Sequence, residues 1–507
     1  MNIVEAKEQI RYAVAAYLER DEDGAYKIPL ARQRPLMLIG APGIGKTAVV
    51  EQVASELGIG LVSYSMTHHT RQSALGLPVI VHRECAGVEY DASEYTMSEI
   101  ISSIYELMEE SGVREGVLFL DEVNCVSETL TPSMLQFLQY KTFGRHRVPD
   151  GWVIVTAGNP PEYNRSVHEF DVATLDRVRR IDVEPDYEAW KPYAYEAGVH
   201  EAVLSFLSSK PDRFFRISRG EAGREFVTPR SWVDLSEAMK LHEELGFPVD
   251  STLVSQYIQV SDVAEEFALY YELFERYRGE YGVEGILAGR FDEALVSKAR
   301  DAALDERLSL LGLLIDDAAS QMKRALAFED ELASERDALH EVMERSHSSE
   351  EPHAVLEELA SAEEEKASRA ASAGSLSGSS RRASSRLARQ LRSYASALNA
   401  SSLSGEEALA SLEAAYEGRV ESLSSMEGEA SASLSNVFSF VEAAFSDGPE
   451  MVVLVTELTA RPHCARFISE HGSEEYFAHN EDLLLSSREK NLRRRIEAQH
   501  GPEKAGK

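Results

Sequence analysis

Residues 34–58 read RPLMLIGAPGIGKTAVVEQVASELG, and the fold turns on how the middle of this stretch is read. Leu36–Ile39 is an apolar run of strand length, and from Lys46 onward apolar residues recur at helical spacing. Between them, Gly40–Thr47 fits G-x-x-x-x-G-K-[ST]. Glycines let successive backbone N–H groups turn inward onto phosphate oxygens. A helix opening directly after them adds unsatisfied donors and a favourable dipole. Gly40, Ala41, Pro42, Gly43, Ile44, Gly45, Lys46, Thr47 and Ala48 are therefore the expected phosphate cradle. Lys46 is placed to reach the β- and γ-phosphates, and the Thr47 hydroxyl to bind Mg²⁺.

Two further stretches complete the chemistry. In GVLFLDEVN, residues 116–124, four apolar residues lead into two acids. In an open α/β sheet, ligands bind at the carboxyl ends of the strands. Asp121 is then placed to hold Mg²⁺, and Glu122 to orient and deprotonate an attacking water. In VIVTAGNPP, residues 153–161, a strand-like run ends in Asn159, which can donate to the γ-phosphate or position the water. Leu61–Ser65, Val117–Leu120, Val153–Ala157 and Ile181–Val183 are strand candidates alternating with helical patterns. That alternation predicts an α/β phosphate-loop core, a mostly parallel sheet between helices.

The order GAPGIGKT, FLDEVN, TAGNPPEYN, LDRVRR, TPRSW resembles the AAA+ ATPases, and more narrowly their MoxR and dynein-related branch, over about residues 30–285. The resemblance implies ATP with Mg²⁺, and a homo-oligomeric ring, usually hexameric, with nucleotide at the subunit boundaries. Arg177 matches the arginine finger that reaches into a neighbour's site, where such fingers contribute roughly 10³–10⁵ in rate. The chain reads L-D-R-V where the branch has L-D-R-F, which leaves Arg179 and Arg180 as substitutes. Arg230 of TPRSW matches the second sensor, and Asn124 the Asn of D-E-x-N. The resemblance also implies a remodelling, chaperone-like activity and a partner bearing a von Willebrand factor A domain. Residues 73–101 and 139–151 lie where the branch carries inserts facing the ring's pore. The second is locally basic through Lys141, Arg145, His146 and Arg147, which suits an acidic polypeptide or a phosphate backbone.

The rest of the chain is helix-prone. The expected organisation is a core over 1–186, an all-α lid over 187–288, a helical bundle or coiled-coil-like extension over 289–445 and a docking segment with a basic tail over 446–507. Leu412, Tyr416, Val420, Leu423, Ala430, Leu434, Val437, Val441 and Ala444 form an apolar seam in the extension. ASAGSLSGSSRRASSRL, residues 371–387, reads as a flexible link or helix tip.

The net charge of −34 repels phosphate backbones and disfavours a nucleic-acid translocase or restriction-type motor. The acid at Glu122 argues against a nucleotide-gated scaffold without turnover. No run approaches the roughly 18–20 apolar residues of a membrane span. Cys85, Cys125 and Cys464 are scattered and form no C-x-x-C pair, which fits a reducing cytoplasm.

Overall fold

The computed structural model describes residues 1–68, 76–85, 88–126, 130–143, 145–163, 167, 170, 172–220, 223–347, 351–372, 378–401 and 403–481. They gather into two compact units. The first holds Met1–Trp190, Thr228–Arg230 and Glu341–Gly405; the second holds Lys191–Val227, Ser231–His340 and the chain from Glu406 onward. The expected basic tail lies outside the described residues.

The first unit opens with helix α1 (Ile3–Leu18), started by a capping box between Asn2 and Glu5. Then follow β1 (Leu36–Gly40), α2 (Lys46–Leu57), β2 (Gly60–Ser65), β3 (Pro78–Cys85), β4 (Val88–Tyr95), α3 (Glu99–Ser111), β5 (Gly116–Asp121), α4 (Thr131–Tyr140), β6 (Thr142–Phe143), β7 (His146–Arg147), β8 (Trp152–Gly158), the short α5 (Val172–Leu175) and β9 (Arg179–Val183). Five strands form one parallel sheet in the order β2-β5-β8-β1-β9. β8 is buried along its whole length and β5 up to Asp121. Parallel strands covered on both faces read as unbroken apolar runs, which is why these two were visible in the sequence. Phe119, Ile154 and Val155 are among the buried residues of this layer, and Ile104, Phe137 and Trp152 pack over Leu118 and Ile154.

This strand order does the positioning. β1, β8 and β5 are adjacent and parallel, so the cradle after β1, Asn159 after β8 and Glu122 after β5 emerge side by side at one edge.

The two inserts are both antiparallel hairpins. β3 and β4 pair from Pro78↔Tyr95 to Cys85↔Val88, and β6 pairs with β7. They are braced together: Arg145 bonds Glu94 at 2.7 Å, Arg83 bonds the same carboxylate at 2.5 Å, and His146 Nε2 donates to the Tyr95 carbonyl at 3.1 Å. Lys141, the C-cap of α4, sits in the left-handed region at φ 55° with its ammonium buried. It donates to Gln33 Oε1 and the Trp152 carbonyl, and burial pushes it down to about 8.

The second unit carries α6 (Tyr187–Ala197) from Lys191, α7 (Glu201–Ser209), the hairpin β10 (Arg216–Gly220) and β11 (Gly223–Val227), and α8 (Pro229–Leu245) from Ser231. It continues through α9 (Ser251–Tyr257), α10 (Ser261–Tyr281), α11 (Val283–Leu287), α12 (Glu293–Asp301) and α13 (Leu304–His347), the last belonging to this unit as far as His340. Phe206, Trp232 and Phe267 form its aromatic centre, with ring centroids 5.3–5.8 Å apart.

Residues 341–405 return to the first unit, where α14 (Pro352–Ser372) and α15 (Gly378–Ser401) form an antiparallel hairpin, with α14 resting on α3. Arg392 bridges back to Glu364 through two hydrogen bonds, at 2.5 and 2.7 Å. Much of the Ser-rich stretch is thus the start of a helix.

The second unit resumes with α16 (Gly405–Phe445), α17 (Pro449–Ala460) and α18 (Pro462–His471). The seam on α16 is buried at Leu412, Ala430, Leu434, Val437, Val441 and Ala444, while Val420 is exposed. α17 supplies Glu457, which takes Lys191 Nζ at 2.6 Å and the Tyr195 hydroxyl. Arg461, between α17 and α18, pairs with the buried Asp316 and lies over the Tyr195 ring. The C-terminal helices therefore dock on α6 and α13.

Candidate active site

The cradle runs from the end of β1 through a turn into the first turn of α2. Gly43 and Gly45 both adopt left-handed backbone, at φ 76° and 92°. A Cβ on Gly43 would also meet Thr228 Oγ1 at 2.8 Å, so that position is closed to any side chain. Lys46 is buried. Its ammonium donates to the carbonyls of Gly40 at 3.0 Å and Ala41 at 2.8 Å, and to Asn159 Oδ1 at 3.0 Å. Burial pushes it down to about 8; Asp121 pulls it back up, Arg230 pushes it down and Glu122 raises it.

Thr47 Oγ1 donates to Asp121 Oδ2 at 3.0 Å. A hydroxyl and a carboxylate brought together beside a phosphate cradle fit a hard, oxygen-seeking dication. Glu122 follows at φ 56°, a left-handed conformation that costs a non-glycine residue roughly 1–2 kcal/mol. Its carboxylate is held by two hydroxyls that accompany β2: Ser65 Oγ at 3.1 Å and Thr67 Oγ1 at 2.8 Å. Both land on Oε2. The motifs did not announce Ser65 or Thr67, since a hydroxyl after a strand reads as an ordinary cap.

Asn124 is buried, and its Nδ2 donates to the Asn159 carbonyl at 2.8 Å. It packs so close to Gly158 that a Cβ there would lie 2.5 Å from Asn124 Oδ1. Asn124 thus tethers the backbone of Asn159, whose side chain meets Lys46.

The arginines separate into three situations. Arg230 is exposed, its backbone N–H reaches the Gly43 carbonyl at 3.2 Å, and its charge acts on Lys46 of the same chain. Arg179 donates to Gln9 at 2.7 Å, and Arg180 pairs with Asp182 at 2.8 Å. Arg177 is exposed, has no ion pair among the described residues, and is not among the charges acting on Lys46. The basic hairpin is largely neutralised: Arg145 is spent on Glu94, Arg147 lies 3.9 Å from Asp150, and Lys141 is buried.

Residues 35–178 match the family model described as the AAA domain, dynein-related subfamily. No curated protein matches the chain. Among solved structures, a proline-to-glycine mutant of RuvB from Thermotoga maritima covers 55% of this chain and 78% of its own, at 14% identity and a TM-score of 0.31. NtrX from Brucella abortus, solved in complex with ADP, covers 41% of this chain and 40% of its own, at 15% identity and a TM-score of 0.24. No helix among the described residues is long and apolar enough to cross a membrane. The chain carries an AAA-type ATPase domain in residues 35–178.

Proposed function

We propose that the chain is an ATP-hydrolysing remodelling enzyme of the MoxR kind, working on protein partners as a homo-oligomeric ring of six copies in the cytoplasm. The backbone of Gly40–Thr47 and the Lys46 ammonium hold the phosphates. Thr47 and Asp121 would hold Mg²⁺, which when bound offsets phosphate charge. Glu122, fixed through one oxygen by Ser65 and Thr67, keeps the other oxygen for orienting a water and taking its proton. Asn159 places Lys46 and faces the same water. Arg230 serves its own copy's nucleotide, and Arg177 serves the neighbour's, where it stabilises charge on the transferring phosphoryl group. A von Willebrand factor A domain partner follows from the family resemblance.

One observation supports the ring: among the described residues Arg177 has no ion pair and is not among the charges acting on Lys46, while Arg179 and Arg180 are tied to their own chain. Phosphate release by a Lys46→Ala chain and by an Arg177→Ala chain tests it. Each alone should be inactive, and mixing them should restore turnover wherever an intact cradle meets an intact Arg177. A fully active Arg177→Ala monomer would end this reading. Pull-down with the ATP-loaded Glu122→Gln chain then identifies the client.

A further inference from the structure

Beside Arg177, α4 and α5 enclose a cavity of ≈ 230 Å³. None of its nine lining residues is acidic, although the chain carries 86 acids against 52 lysines and arginines. The polar residues that line it include Arg177, Gln136, Gln139 and Tyr140. Gln139 Nε2 donates to the Tyr140 oxygen at 2.9 Å, which fixes the phenol and turns its own proton to a further acceptor. Tyr140 is 57% exposed and nearby Val172 84% exposed. Four of the nine lining residues are apolar, and the polar remainder carries an arginine and no carboxylate, a lining that suits an oxyanion. Exposed Tyr and Arg around an apolar residue are the groups that anchor a protein seam.

We propose that this cavity is a trans-acting oxyanion cradle, in which Tyr140 and Gln136 join Arg177 on the terminal phosphates of a nucleotide held by a second copy of the chain. This rests on the reading of Arg177 given above and extends it to two residues. Arg177 supplies the charge. Tyr140, held by Gln139, and Gln136 supply dipoles to the same oxygens.

The test uses full-length Tyr140→Phe and Gln136→Ala chains, each assayed for ATP turnover alone and mixed with a Lys46→Ala chain. Each variant alone should lose about tenfold or more in kcat with KM nearly unchanged. The Lys46→Ala chain, whose cavity is intact, should restore turnover at the variant's own cradle. A Lys46→Ala/Tyr140→Phe chain should not. Unchanged turnover in both variants, or a loss that the Lys46→Ala chain does not restore, overturns the proposal. The same mixing with Arg177→Ala separates the two levels. Rescue of Arg177→Ala without rescue of Tyr140→Phe sinks the cavity alone, and failure of both sinks the ring reading beneath it.

Discussion

Lys46 enters the cradle as an ammonium already pushed down to about 8 by burial. A triphosphate favours its charged form, so binding is linked to that proton. The affinity for ATP should be flat below pH 8 and weaken above it, by up to about tenfold per pH unit, until the ammonium of the bound state also titrates. A fluorescent-nucleotide titration between pH 7 and 9.5 checks this; an affinity that strengthens with pH would show that the ammonium is not the group being read. Gly158 makes a second demand. Alanine there must displace Asn124 and loosen Asn159, as Asn124→Ala does directly. Both substitutions should lower kcat by roughly 10- to 100-fold, and the double variant should fall little further than either. Lys46 and Thr47 could be singled out because a phosphate turn demands particular residue types at fixed offsets, and Asp121, Glu122 and Asn159 because each follows an apolar run that reads as a strand. Ser65 and Thr67 could not, because a hydroxyl acting on a carboxylate 55 or 57 positions away leaves no local pattern.

Among the elements, β5 and β8 were legible because burial on both faces forces an unbroken apolar run. β3–β4 and β10–β11 were not. β3–β4 leaves Ile80 73% and Tyr90 47% exposed, so no buried face imposed an alternation to read. The residue types of 139–151 likewise foretold the local charge of the β6–β7 turn but not its neutralisation, since Glu94 comes from the other insert. That brace is partly exposed, with Glu94 18% and Arg145 64% accessible, and so it stabilises the contact by no more than about 1 kcal/mol. Glu94→Ala should therefore speed amide exchange in residues 142–147 by no more than about fivefold, leaving β5 and β8 unchanged. Exchange measured by mass spectrometry decides, and an unaltered hairpin would mean that the His146 contact alone holds it.

At the scale of the whole molecule, one of the places where the chain passes between the units falls inside α13, where helical periodicity runs on unbroken and no composition change marks it. What fastens the C-terminal helices was equally hidden, because it is a long-range pair. Asp316 is 2% exposed; burial pushes its carboxyl up and Arg461 pulls it back. Removing one partner strands a buried charge, so Arg461→Met should destabilise the second unit by about 3–5 kcal/mol. Arg461→Met with Asp316→Leu should recover most of that in urea unfolding. Charge, by contrast, was fully legible and bears on the proposed ring. Copies carrying −34 each repel one another, and that repulsion reaches about 30 Å at 0.01 M ionic strength but only about 8 Å at 0.15 M. The proposed ring, joined at an exposed arginine and the cavity beside it, would concentrate its attraction at a short-range seam, which salt screens far less than it screens the diffuse repulsion. Raising ionic strength over that range should therefore shift the ATP-loaded Glu122→Gln chain toward larger species in sedimentation velocity. The wild type's turnover per chain should rise in parallel as cradles acquire neighbours. Dissociation on adding salt would reverse the argument, placing the association in exposed ion pairs rather than at the seam around Arg177.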